Sequence, residues 1–99
     1  MSPPLPADQA TTYAWIFLSV PEQPAPLTDI IALADAINHA VPTQSELQQS
    51  FRWLQECGLI TRAGKRYALT PAGIALRERM SSSKIMDTWD NLARDFSAR

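Results

Sequence analysis

The chain has 99 residues, of which 45% are hydrophobic and 19% are charged, and its formal net charge is −1. This length fits one domain with a modest core and leaves little room for a cleft between domains, while the charge argues against strong non-specific binding to nucleic acids. A single cysteine excludes an internal disulfide, and the longest apolar run, residues 13–18, is too short to span a bilayer. The chain lacks the basic region of a signal peptide, so we expect a cytoplasmic protein with no membrane partner.

The first forty residues open with a proline-rich stretch. We expect residues 1–7 to form a mobile lead before a folded domain spanning residues 8–80. Asp8 is placed to cap a first helix over residues 9–20. Pro21 then opens the segment PEQPAP, which should form a loop because proline lacks the N–H that a helix interior needs.

A second helix is predicted over residues 28–40, where apolar residues recur at helical spacing. Pro42 disfavours helical geometry in the residue before it, so this helix ends nearby, and the short gap that follows indicates a helix-turn-helix. Asp35 and His39 lie four residues apart on its polar side. Two ligands alone are weak evidence for a metal site, so we expect an exposed ion pair between them.

The strongest start signal in the chain lies at the third helix, predicted over residues 43–57. The Thr43 hydroxyl can accept a hydrogen bond from the backbone of Glu46, whose side chain can bond back to Thr43 as a capping box. Gly58 ends the helix because it adopts the left-handed conformation at little cost. One face is apolar and predicts core contacts: Leu47, Phe51 and Leu54, flanked by Trp53 and Cys57.

A β-hairpin is predicted after this helix. Residues 59–61 and 67–69 have strand composition, and the Ala-Gly pair at 63–64 can turn the chain. We call residues 61–67 the wing. The apolar pattern places four side chains in a common core beneath the first helix: Ile37, Phe51, Leu54 and Leu69.

The exposed face of the third helix is rich in amides. With Gln48 at its centre, and at about 100° per residue, the side chains that share this face carry amide, hydroxyl or guanidinium groups. Glutamine can form two hydrogen bonds with adenine, and arginine can do the same with guanine. The alternative is a solvated face, because glutamine is a good helix former that needs no ligand. The predicted DNA contacts are Gln44, Ser45, Gln48, Gln49 and Arg52.

Three cations surround the predicted turn of the hairpin: Arg62, Lys65 and Arg66. We expect them to contact the phosphate backbone or a minor groove. The alternative is a sheet edge that charge protects against unwanted strand pairing. The charge distribution favours the first, because residues 41–80 carry six cations against three acidic residues, whereas residues 1–40 carry four acidic residues and no Lys or Arg.

Two further helices complete the chain. Thr70 caps a helix over residues 71–80, with Pro71 at its first position, and a last helix is predicted over residues 82–96. The last helix has an apolar stripe, and the first helix is apolar on two sides, so each needs cover. We expect residues 81–99 to join two subunits, the alternative being a monomer whose last helix folds back. The predicted dimer contacts are Trp15, Leu18, Ile85, Trp89, Leu92 and Phe96.

The segment from Leu47 to Gly73 resembles the winged-helix domains of small bacterial regulators of the MarR and PadR type. In those proteins a leucine-rich helix ends in Gly-Leu-Ile or Gly-Leu-Val, a short wing follows, and Leu-Thr-x-x-Gly begins the next helix. This chain has Gly-Leu-Ile at residues 58–60 and Leu-Thr-Pro-Ala-Gly at residues 69–73. The resemblance implies a mainly helical winged helix-turn-helix with a small β-hairpin and an additional C-terminal helix. It also implies dimerisation through terminal helices.

Two functions follow from these patterns. The first is a transcriptional regulator that binds double-stranded DNA, with helix 43–57 in the major groove and the wing on the backbone. The second is a winged-helix module that binds another protein and makes little or no contact with DNA. The sequence has no spaced metal ligands, phosphate-binding loop or nucleophile–base pair, so we expect neither an enzyme nor a cofactor. Cys57 is expected to be a core thiol.

Overall fold

The computed structural model describes residues 5–99, which form five helices and a small antiparallel sheet. This mainly helical class with a small sheet was predicted, and it is compatible with a winged helix. The strands lie in the order β1-β3-β2. The elements in chain order are α1 (Ala7–Ser19), β1 (Ala25–Pro26), α2 (Leu27–Asn38), α3 (Gln44–Glu56), β2 (Ile60–Ala63), β3 (Arg66–Leu69), α4 (Pro71–Met80) and α5 (Ile85–Ser97).

The start of α1 differs from the prediction. Pro6 occupies the N-cap position, and Asp8 lies within the first turn, where its carboxylate still faces the positive end of the helix dipole. Leu5 packs against the core, and the Ser97 hydroxyl donates to the Leu5 carbonyl at 3.2 Å. Residues 5–7 of the predicted mobile lead therefore belong to the fold, while residues 1–4 lie outside the described residues.

The predicted proline-broken loop contains a strand. In β1, Ala25 pairs with Tyr67 and Pro26 pairs with Arg66, so β3 is the central strand of a three-stranded sheet. Proline is tolerated there because β1 is an edge strand. Two residues are too few to show the alternation that predicts a strand.

The end of α2 corrects the predicted ion pair. His39 leaves the helix in the left-handed conformation, with φ of 54°, and its backbone N–H donates to the Asp35 carbonyl at 2.7 Å. Its side chain no longer lies one helical turn above the Asp35 carboxylate. Within residues 5–99, no ion pair joins the two side chains.

The start of α3 follows the prediction. The Thr43 hydroxyl accepts from the Glu46 backbone at 3.1 Å, and the Glu46 carboxylate accepts from the Thr43 backbone at 2.8 Å. At the other end, Gly58 adopts a φ of 72°, which lets the chain turn from α3 into β2. The helix is therefore fixed at both ends by the residues that the sequence indicated.

A polar junction joins the end of α3, the base of the hairpin and the start of α4. The Thr70 hydroxyl donates to the Gly58 carbonyl at 2.6 Å and accepts from the Gly73 backbone at 3.0 Å. A Cβ on Gly73 would lie 2.1 Å from the Leu59 carbonyl oxygen. This close approach of α4 to Leu59, the residue before β2, requires glycine.

The core is built around α1. The Trp15 indole donates to the Ala34 carbonyl of α2 at 2.9 Å, and the Trp89 indole of α5 donates to the Thr11 carbonyl at 2.8 Å. The apolar stripe of α5 thus packs on α1 of its own chain. Three of the four predicted core residues are buried, namely Phe51, Leu54 and Leu69. The fourth, Ile37, is half-buried and packs against the core.

Candidate nucleic-acid interface

The amide face of α3 comprises Gln44, Ser45, Gln48, Gln49 and Arg52, and all five are exposed. The opposite side of the helix is buried in the core through Leu47, Phe51 and Leu54. The Gln49 amide donates to the Ser45 hydroxyl at 3.1 Å, one helical turn away. The structure therefore places the five predicted side chains together on one solvent-facing surface of a rigid element.

Arg52 lies at the C-terminal half of this face. Its guanidinium is 3.9 Å from the Glu56 carboxylate, with side-chain exposures of 83% and 69%. So exposed a pair contributes little stability, and a competing acceptor can displace Glu56 at small cost. A shallow depression on this face is lined by Gln48, Gln49 and Arg52. All three side chains can donate hydrogen bonds to a ligand bound there.

The three cations of the wing are exposed but differ in their surroundings. The Arg62 Nε donates to the Gly64 carbonyl at 2.7 Å, and the guanidinium lies 5.8 Å from the centre of the Tyr67 ring. Lys65 and Arg66 form no ion pair within residues 5–99. They are the two cations of the wing that reach solvent without an internal partner in the described part of the chain.

An aromatic stack joins the wing to α3. The rings of Tyr67 and Phe51 lie 4.3 Å apart at an interplanar angle of 15°. Offset stacking at this distance stabilises the contact beyond the area that it buries. The sequence did not predict this contact, because the apolar pattern places Phe51 in the core and the strand composition places Tyr67 in a strand, and neither pattern specifies pairs between elements.

The surroundings of the amide face carry negative charge at one end. Asp8 and Glu46 line a shallow pocket beside Gln49, so the N-terminal end of α3 lies next to two carboxylates. In α4, the Arg77 guanidinium is 3.6 Å from the Glu22 carboxylate, and this ion pair leaves Arg77 less available to a phosphate. Positive charge near the face thus comes from Arg52 and the wing.

Two titratable groups near the core are shifted by burial. Burial raises the pKa of the Tyr13 phenol, which stays neutral beside its stacking partner Trp53. Burial also raises the pKa of the half-buried Cys57 thiol, an effect that Arg99 partly opposes. Cys57 is therefore protonated at neutral pH, as expected for a core thiol rather than a reactive one.

The six residues predicted to join two subunits differ in their exposure to solvent. Four of them are buried within their own chain, whereas Leu18 is half-buried and Ile85 is 50% exposed. Next to Ile85, Met86 is 54% exposed. The accessible part of the predicted dimer surface is the N-terminal end of α5. The buried members are Trp15, Trp89, Leu92 and Phe96.

Searches for similar proteins add no family to these observations. Comparisons with protein-family models, with curated proteins and with solved structures each found no match. Residues 5–99 contain no group of three or more side chains suited to hold a metal ion. None of the helices described here is long and apolar enough to cross a membrane. Because no comparison found a match, the resemblance to MarR and PadR regulators stays a prediction that rests on residues 47–73.

Proposed function

We propose that this protein is a DNA-binding transcriptional regulator, with α3 in the major groove and the wing on the phosphate backbone. One observation carries the proposal: the exposed amide face of α3 lies on an element that the Tyr67–Phe51 stack joins to a cationic wing. A helix fits the major groove, and a flanking basic hairpin can contact phosphates beside it.

Base recognition falls to the centre of the amide face. Gln48 can donate and accept at the adenine edge, and Arg52 can place two donors on guanine after leaving Glu56. The buried side chains on the other side of α3 fix the helix, so these groups need little reordering on binding. Because the protein has a net charge of −1, base contacts rather than charge must supply most of its preference for a site.

A dimer extends this scheme to a two-fold symmetric site. We propose a cytoplasmic homodimer whose two α3 helices contact half-sites about 34 Å apart, or a multiple of that. Ile85 and Met86 are the exposed apolar side chains at the N-terminal end of α5 that this dimer would bury. Neither a cofactor nor a catalytic group is part of the proposal.

Substitutions on α3 test this function. On a duplex enriched from a random library, Gln48→Ala and Arg52→Ala should each weaken binding by about 1–3 kcal/mol, roughly 5- to 150-fold, because each loses a two-bond base contact. Binding to random duplex should change little. Fluorescence anisotropy at fixed salt measures both.

Matched controls remove the same chemistry elsewhere. Gln23→Ala takes an exposed amide from the loop before β1, and Arg79→Ala takes an exposed guanidinium from α4. Both should bind the enriched duplex within about twofold of the wild type, which is below the loss expected for a base contact. If the control variants lose as much affinity as the α3 variants, α3 does not recognise bases.

The alternative is a protein-binding module. Two observations favour it. Leu33 in α2 is 43% exposed, and Val41 after α2 is 65% exposed. In addition, residues 1–51 carry no Lys or Arg that could contact DNA. On that account, Leu33→Asp and Val41→Asp abolish recovery of a partner from cell extract, while Gln48→Ala leaves recovery unchanged. If the protein is a regulator, Gln48→Ala weakens DNA binding, whereas Leu33→Asp and Val41→Asp leave DNA binding unchanged.

A further inference from the structure

We propose that Arg62 is a positioning residue of the wing and not a phosphate contact. It fixes the direction in which Lys65 points, and it couples the wing to α3 through Tyr67. The consequence for affinity rests on the proposed DNA-binding function, whereas the structural role of Arg62 does not.

The contacts of Arg62 lie within the hairpin. Arg62 and Tyr67 are direct Cα partners in the ladder between β2 and β3, so their side chains can meet across the strands. The guanidinium lies 5.8 Å from the centre of the Tyr67 ring, within the range of a cation–π contact. Its Nε also donates to the Gly64 carbonyl at 2.7 Å. One face and one donor of the guanidinium are therefore already used.

The bond to Gly64 controls the peptide that precedes Lys65. The Gly64 carbonyl and the Lys65 N–H belong to one planar peptide unit, so holding the oxygen fixes the orientation of the nitrogen. Gly64 has a φ of 62° and nothing within 4 Å of its Cβ position, so packing does not hold the turn. The Ala63–Arg66 ladder pair closes the turn, and the Arg62 bond is a side-chain contact that holds the Gly64 carbonyl within it.

The same side chain is connected to the recognition helix. Tyr67 stacks on Phe51 at 4.3 Å, and Phe51 is 6% exposed beneath α3. Phe51 precedes Arg52 and lies three residues after Gln48. The cation–π contact of Arg62 with Tyr67 and the stack of Tyr67 on Phe51 therefore link the wing turn to the helix that carries the amide face.

A charge-conserving substitution separates the two roles of Arg62. Lysine keeps the charge but has neither the planar group for stacking nor the Nε donor. If Arg62 positions the wing, Arg62→Lys and Arg62→Gln should lose about the same affinity for an enriched duplex, because a mobile wing must then be ordered on binding. Both should keep the wild-type salt slope, because Lys65 still reaches its phosphate. Lys65→Gln should instead lower that slope by about 0.9. If Arg62→Lys binds like the wild type and Arg62→Gln lowers the slope as Lys65→Gln does, Arg62 is a phosphate contact and the proposal is wrong.

A second measurement needs no DNA. Backbone ¹⁵N relaxation of the full chain should give rigid order parameters, about 0.85, at Gly64 and Lys65, falling below about 0.6 in Arg62→Lys. Tyr67→Phe, which keeps the ring, should preserve the wild-type values, and Lys65→Gln should do so as well. Unchanged values in Arg62→Lys would overturn the proposal. If no duplex binds the wild type, the proposed function fails while this measurement still decides the role of Arg62.

Discussion

Thr70 shows how one side chain can organise a junction of three elements. Its hydroxyl donates to Gly58 at the end of α3 and accepts from Gly73 in the first turn of α4. Gly73 in turn lets α4 approach the Leu59 carbonyl more closely than any Cβ permits. These contacts give a physical reason for the spacing of the Gly-Leu-Ile and Leu-Thr-Pro-Ala-Gly motifs, because each motif supplies one side of the same junction.

Substitution of Gly73 tests this junction. Gly73→Ala would place a methyl group 2.1 Å from a backbone oxygen, and neither backbone can move without disturbing the base of the hairpin. We expect the free energy of unfolding to fall by about 3 kcal/mol or more, at the upper end of the cost of overpacking. Urea denaturation followed by circular dichroism measures the change.

Ala72→Ser provides the control, because it adds one atom at the exposed neighbouring position. Its stability should stay within about 0.5 kcal/mol of the wild type. A Gly73→Ala variant as stable as Ala72→Ser would show that α4 does not pack against Leu59 as closely as described.

At the scale of elements, α3 depends on its capping box for the order of its first turn. Thr43→Ala removes the acceptor for the Glu46 N–H and should lower the free energy of unfolding by about 1 kcal/mol. Thr43→Ser keeps the hydroxyl and should lose less than half of that. Equal stability of the alanine and serine variants in thermal melts would mean that the cap does not hold the helix.

The elements that were predicted from the sequence carry strong local signals. The third helix has a capping box, an apolar face and a terminal glycine, and its observed bounds, Gln44–Glu56, differ from the prediction by one residue at each end. Strand β1 was missed because two residues carry no periodicity and its partner β3 is far along the chain. The His39 cap was missed because few residues other than glycine adopt the left-handed conformation, so a histidine alone does not indicate a helix end.

For the candidate site, the sequence predicted which side chains are exposed but not how they are held. The amide face follows from helical spacing alone, and all five of its members are exposed. In the wing, the difference between Arg62 and its two neighbours depends on the position of the Tyr67 ring, which a single-sequence pattern does not specify. The same limit applies to α5, whose stripe is apolar whether it covers its own α1 or a second subunit.

For the molecule as a whole, assembly is expected to depend on the N-terminal end of α5. We expect a dimer, because Ile85 and Met86 are both at least half exposed at this end of α5. Ile85→Asp combined with Met86→Asp should shift the protein to a monomer in sedimentation or light scattering, since charge opposes burial of this patch. Val41→Asp, at a 65% exposed site outside the patch, is the control and should leave the mass unchanged. A wild-type monomer at high micromolar concentration would contradict the dimer.

The charge of the whole chain sets the conditions for detecting DNA binding. Residues 1–51 carry five acidic residues and no Lys or Arg, so this half of the chain opposes the approach of phosphates. Non-specific affinity should therefore be low, and failure to bind random duplex does not argue against recognition of a particular site.

Selection of binding sites from a large random duplex library at low salt decides whether α3 recognises a DNA sequence. The proposed regulator predicts enrichment of a shared sequence, recognised by the wild type and lost in Gln48→Ala combined with Arg52→Ala. The contradicting result is that no duplex is enriched at low salt, while a protein partner is recovered from cell extract by the wild type and by the α3 variants alike.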